Sequence, residues 1–201
     1  MSKRILKILS YSFTAILLYS CSAKKISSDF YFQHQNVLEE MQESYKKLYA
    51  QKPFTLAFTD KDFRTVQLEI ITDSISYIYD FVVHEPRLDD TLRKYNYNVD
   101  GVNHLINTMI GIRSTWVNNF EYYVDERKRV TTMISIKPLV RQPIFSYKKY
   151  YILTFFTQPQ NFDEKGRLLD RKRTKRIRKI NGETFYRITD KVCYTIAGQF
   201  R

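Results

Sequence analysis

Phe54-Thr55-Leu56-Ala57-Phe58, Thr65-Val66-Gln67-Leu68-Glu69-Ile70 and Ile75-Ser76-Tyr77-Ile78-Tyr79-Asp80-Phe81 succeed one another within 28 residues. Phe54, Leu56 and Phe58 alternate with Thr55, Ala57 and Thr59, and Val66, Leu68 and Ile70 alternate with Thr65, Gln67 and Glu69. A period of two is that of a strand with one face turned to a core, so both runs read as half-buried strands. Thr72-Asp73-Ser74 is turn-forming and leads into Ile75, Tyr77, Tyr79 and Phe81, so the second and third strands should form an antiparallel hairpin.

On the N-terminal side, Leu38, Met41, Tyr45, Leu48 and Tyr49 recur at intervals of three and four, with Glu39, Glu40, Glu43, Lys46 and Lys47 between them. This spacing predicts one amphipathic helix over 33–49, stopped before Pro53. On the C-terminal side, residues 84–98 are polar, contain Pro86 and read as irregular. Val99, Val102, Leu105, Ile106, Met109, Ile110, Trp116, Val117, Phe120 and Val124 then predict a long helix with Asn98 as N-cap. Gly111 inside it implies close packing of another element, because glycine costs a helix about 1 kcal/mol relative to alanine.

Val130, Thr132, Ile134 and Ile136 form a fourth alternating run, ended by Pro138, and residues 150–157 form a fifth. Asn181-Gly182 favours a two-residue type I′ turn, so the segment ending at Ile180 should pair back on residues 183–196. Strands grouped in runs and joined by tight turns imply an α+β domain over 29–201: an antiparallel sheet of about six to seven strands with two main helices packed on it.

The charge is local. The chain carries 33 Lys and Arg against 21 Asp and Glu, a formal net of +12. Residues 1–20 contribute +3, residues 165–179 contribute +8, and the remainder only +1. A basic face spread across the domain, as nucleic-acid binding requires, is therefore absent from the pattern, and a nucleic-acid partner is not expected.

Lys3, Arg4 and Lys7 precede an apolar run from Ile8 to Leu18, 11 residues long, followed by small and polar residues around 19–22. That is too short for a membrane span, which needs about 20 residues, and suits a signal-peptide core of roughly 7 to 15. Leu18-Tyr19-Ser20-Cys21 resembles the lipobox of bacterial lipoproteins, of the looser kind found in Bacteroidetes-like sequences. The resemblance covers the export segment alone. It implies a signal peptide over 1–20, thioether attachment of diacylglycerol to the Cys21 sulfur, cleavage before Cys21 and acylation of the new amino group. Ser22 to Ser28 would then be a polar tether, and the nine residues 21–29 allow a stand-off of roughly 30 Å at full extension. Two or three acyl chains anchor a protein in effect permanently. The resemblance thus implies a cell-envelope lipoprotein, and Lys24-Lys25 in place of an acidic run points to the periplasmic face of the outer membrane.

With Cys21 lipidated, Cys193 has no intramolecular partner, and its run Val192-Cys193-Tyr194-Thr195-Ile196 marks it as a small sheet residue. His34, His84 and His104 fall on different elements without metal-ligand spacing. Serine-hydrolase, phosphate-loop and dinucleotide signatures are missing from the chain. Glu85, Asp89 and Asp90 around Pro86 read as surface charge. No catalytic residue, metal or cofactor is therefore expected.

The anion-contact candidates are Arg171, Lys172, Arg173, Lys175, Arg176, Arg178 and Lys179, within a basic arm at 165–180. Charges occupy both alternating faces of this run, which implies a loop or hairpin standing clear of the sheet. Two roles fit: a charge-protected sheet edge, or contact with an anionic lipid, lipopolysaccharide or acidic protein partner. The expectation is a non-enzymatic binding or structural module of the envelope; the alternative is an envelope enzyme acting on a cell-envelope polymer.

Overall fold

Residues 24–124, 127–136, 150–170 and 176–198 are described in a computed structural model. The first of them differ from the expected tether. Residues 24–33 are helical (α1), with Ser27 fully buried and Ile26 and Phe30 packed on the core. Ile26 and Phe30 lie four apart, enough to place one apolar stripe in a stretch of polar composition. A helix rises about 1.5 Å per residue, so residues 24–28 do not act as an extended spacer. Helical hydrogen bonds continue across His34, from His34 N to the Phe30 carbonyl (3.1 Å) and from Leu38 N to the His34 carbonyl (2.9 Å). They lead into α2, Gln35–Gln51, which buries Leu38, Met41, Tyr45 and Leu48 as its periodicity predicts.

β1 (Phe54–Phe58), β2 (Thr65–Ile71) and β3 (Ser76–Val82) pair antiparallel in sequence, with the expected β2–β3 hairpin. β2 alternates as anticipated, whereas all five residues of β1 are buried. The reason is that both faces of the sheet are covered at β1: Phe54, Leu56 and Phe58 join the core beneath the helices, and Ala57 joins a second cluster on the opposite face.

The segment read as irregular holds a helix, α3, Pro86–Lys94. Proline is favoured in the first helical turn, where no N–H is needed, and Leu88 and Leu92, four apart, are both fully buried. The long helix ends early. α4 spans Val99–Gly111, with the Asn98 side chain accepting from Gly101 N as the predicted cap, and β4 follows as Ser114–Val124. Ile112 caps α4 and Arg113 reverses the chain at φ 57°. Gly111 has open space around it, so the close packing expected there is not found. It occurs at Gly101, where a Cβ would stand 2.9 Å from Leu48 Cδ2 of α2.

β5 (Arg127–Ile136) and β6 (Tyr150–Phe156) continue the sheet. β7 (Lys179–Ile180) and β8 (Glu183–Thr184) form a separate two-stranded pair; β9 (Tyr186–Arg187) and β10 (Val192–Ala197) return to the main one. The main sheet has eight antiparallel strands in the order β3-β2-β1-β4-β5-β6-β10-β9. The chain is thus α+β, with slightly more strands than the pattern suggests. One face carries the helices over Tyr45, Phe54, Leu68, Ile106, Met109 and Leu153. The outer face carries a smaller core of Trp116, Met133, Ile152, Phe156, Leu168, Phe185 and Cys193. Trp116 is a core residue, on a strand instead of the expected helix.

Candidate functional site

The outer-face core is roofed by residues 161–170 and 176–187, which flank the densest part of the basic run. A tight turn starts it. The Asp163 carboxylate accepts from Lys165 N (3.0 Å), Arg167 N (2.7 Å) and Arg167 Nε (2.6 Å), while Gly166 adopts φ 74°. The Arg167 backbone hydrogen bond, followed by its side chain and charge, holds the Asp163 carboxyl below its ordinary value. Leu168 N then donates to the Phe185 carbonyl (2.9 Å), and Arg187 N to the Gly166 carbonyl (2.8 Å). On the other side of the same strip, Arg178 N donates to the Leu168 carbonyl (2.9 Å) and Asp170 N to the Arg176 carbonyl (2.8 Å). Leu169 bridges Ile177. Leu168 and Phe185, 0% and 2% exposed, press this small layer onto the sheet.

The basic segment is therefore docked at its base, in contrast to an arm standing clear. The alternation of charges hid this because the contacts are made by Leu168 and Phe185, at its ends, and by the backbone. Arg178 also belongs to the base: its guanidinium lies 4.9 Å from the Tyr122 ring and 5.9 Å from that of Phe156, within cation–π range. Arg176 and Lys179 are exposed. No carboxylate pairs with either among the described residues. Arg171, Lys172, Arg173 and Lys175 belong to the five residues that join Asp170 to Arg176, outside the described residues, as does Cys21. The structure thus brings together the base of a hairpin whose connecting residues carry the densest charge in the sequence.

Position relative to α1 follows from two consecutive residues of β6. Phe155 points to the helix face, where the Tyr31 ring of α1 lies 6.2 Å from its own. Phe156 points to the outer face, where it meets Arg178. The N-terminal helix and the basic hairpin straddle the same end of β6.

A cleft of about 500 Å³, which the sequence does not announce, lies beside the roof. Thr55, Glu69, Trp116, Asn118 and Phe120 line it from the sheet and Glu183 and Phe185 from the covering layer. Thr55 Oγ1 and Asn118 Oδ1 are buried there without a hydrogen-bond partner among the described residues. Its residues come from seven separated segments, so no linear pattern could have assembled it.

The remaining candidates take structural positions. Cys193 is fully buried, and burial pushes its thiol up to about 12 against the weaker opposing pull of Arg178 and Arg187. Such a thiol is protonated and shielded, the opposite of a nucleophile. Arg87 pairs with Glu85, and Arg93 with Asp90 (3.0 Å) and Asp89 (3.8 Å). The other strongly shifted groups, Tyr45, Tyr97 and Tyr194, are raised chiefly by burial. Among the described residues no cluster of His, Cys, Asp and Glu could hold a metal ion, and no helix is long and apolar enough to cross a membrane. No protein-family model matches the chain, and neither comparison, with curated proteins or with solved structures, finds a match.

Proposed function

We propose that this protein is a lipid-anchored module of the bacterial cell envelope, held through Cys21 at the periplasmic face of the outer membrane. Its basic hairpin contacts an anionic component of the surface that anchors it. The reading rests on the lipobox-like Leu18-Tyr19-Ser20-Cys21 and on the placement of α1 and the hairpin about one end of β6. Lys24 is already helical and lies three residues from Cys21, so the anchor holds the domain closer than an extended tether would. The hairpin, across the sheet at the same end, then faces the headgroups. Each Lys or Arg near an anionic surface contributes about 1 kcal/mol, and tethering raises the effective concentration further.

The test is vesicle binding by the Cys21→Ser chain, which reports the hairpin without the lipid. Replacing Arg171, Lys172, Arg173 and Arg176 by Gln removes four charges while sparing Arg178, whose stacking supports the outer core. Binding to anionic phospholipid vesicles, or to vesicles containing lipopolysaccharide, should be lost in the variant at unchanged thermal stability. In the parent it should weaken steeply as salt shortens the Debye length from about 10 Å at 0.1 M to about 3 Å at 1 M. Equal binding by both chains would leave the hairpin as a charge-protected element only. The enzyme reading draws on the outer-face cleft, where Glu69 and Glu183 face one concavity; it requires turnover of an envelope polymer that disappears when both become Gln.

A further inference from the structure

The outer-face cleft holds an unbalanced set of polar groups. Glu69 of β2 and Glu183 of β8 line it, both half-buried, and among the described residues no Lys, Arg or His does. Neither carboxylate forms an ion pair among the described residues. Thr55 is 3% exposed and stands opposite Glu69 in the β1–β2 register, with its side chain on the outer face of the sheet. Its hydroxyl and Asn118 Oδ1 are the two buried polar atoms of the cleft that lack a partner among the described residues. Thr195, on another wall, differs: its hydroxyl donates to the Thr184 carbonyl (2.9 Å). Buried polar atoms are almost always hydrogen-bonded, so two that are not, side by side with two uncompensated carboxylates, mark a place where a partner is supplied from outside.

Between these groups the cleft is aromatic. Trp116 and Phe120 share the outer face of β4 with ring centroids 6.2 Å apart, and Phe185 closes the side of the covering layer. The volume of about 500 Å³ falls within the roughly 300–1,000 Å³ of small-molecule sites.

We propose that this cleft binds a small organic cation, an alkyl amine in its ammonium form. An ammonium group has three donors and no acceptor, which matches two carboxylates, an amide oxygen and a hydroxyl able to accept. Aromatic faces attract it as well, and they cover its carbon chain. The other ligand classes fit less well. An anion meets two negative charges with no cation beside them. A neutral apolar molecule strips water from the carboxylates and leaves Thr55 and Asn118 unpaired. A calcium ion calls for six to eight oxygen ligands, and the aromatic walls offer none. Glu69 belongs to the sheet and Glu183 to the covering layer, so an occupant joins the two. The inference uses none of the basic residues and holds whether or not the hairpin meets a membrane.

Trp116 is the single tryptophan of the chain and lines the cleft, so its fluorescence reports occupancy. The probes are hexylamine and its uncharged analogue hexanol, added to the full chain carrying Cys21→Ser. Hexylamine should change the Trp116 emission saturably and raise the melting temperature; hexanol should do neither at the same concentrations. Glu69→Gln with Glu183→Gln keeps size and removes both charges at half-buried positions, and it should weaken hexylamine binding about tenfold or more with the melting temperature of the unliganded protein unchanged. Thr55→Val, which deletes only the unpaired hydroxyl, should weaken it by less without loss of stability. Calcium chloride at equal ionic strength to sodium chloride should displace no more hexylamine than sodium chloride does. The proposal is overturned if hexylamine gives no saturable change, if hexanol binds as tightly, if the double Gln variant binds like the parent, or if calcium displaces the amine selectively. Loss of vesicle binding by the hairpin variant leaves all four readouts untouched, so the two readings fail separately.

Discussion

Burial sets the protonation of Cys193, Tyr97 and Tyr194, and the sign of the consequence is fixed. Burial raises each to about 12, from ordinary values of 9.0 for the thiol and 10.0 for the phenols. The folded chain therefore keeps these protons where the unfolded chain has released them. From about pH 9 upward the unfolded state binds fewer protons, and stability should fall continuously towards pH 12. It should be insensitive to these groups below about pH 8. Urea unfolding of the parent and of Cys193→Ala at about pH 8 and about pH 11 separates the thiol's share: the parent should lose more stability over this interval than the variant. Parallel losses would mean that the thiol titrates normally and is not sealed. At this scale the run Val192 to Ile196 made the role of Cys193 legible. The Thr55 hydroxyl, buried without a partner among the described residues, was not, because its environment is built by residues far along the chain.

Among the elements, the β7–β8 turn follows most directly from local chemistry. Asn181 and Gly182 adopt φ 50° and 80°, as a type I′ turn requires, and a Cβ on Gly182 would meet no atom within 4 Å. Gly182→Ala should thus destabilise by conformational strain alone, about 1–2 kcal/mol, readable in chemical denaturation. A neutral substitution would show that this turn relaxes freely and does little to hold the roof. The hairpins and α2 were legible because turn residues and an uninterrupted period each point to one conformation. β4 was not. Trp116, Phe120 and Val124 are spaced by four, a step that keeps residues on one face of a strand and of a helix alike. The break between α4 and β4 depends on Arg113 in a left-handed conformation, for which a non-glycine residue gives no sequence signal. α3 was hidden because Pro86 reads as a breaker until its position in the first turn is known.

Across the whole molecule, one sheet separates two cores of unequal size. β5 from Thr131 to Ile136 and β6 from Tyr151 to Phe156 are buried at every residue, since strands flank them and both faces are covered. The layer formed by residues 161–170 and 176–187 is held by Leu168 and Phe185, by the partly buried Phe162 and Ile180 and by a few backbone bonds, and it carries the exposed Arg176 and Lys179. Segments with few apolar contacts open at lower free energy than the core they cover. In native-state hydrogen exchange, the amides of Leu168, Arg178 and Arg187 should therefore be less protected than those of Ile134 and Leu153. Leu168→Ala removes the main apolar pin, and truncating a buried leucine costs about 2–5 kcal/mol. If the layer opens on its own, the variant should lose protection at Arg178 and Arg187 while Ile134 and Leu153 keep theirs. Vesicle binding should also survive, provided the bases act from exposed residues and do not depend on a rigid hairpin. Equal loss of protection at all these amides would show instead that roof and sheet unfold together, and that the basic segment is an integral part of the fold.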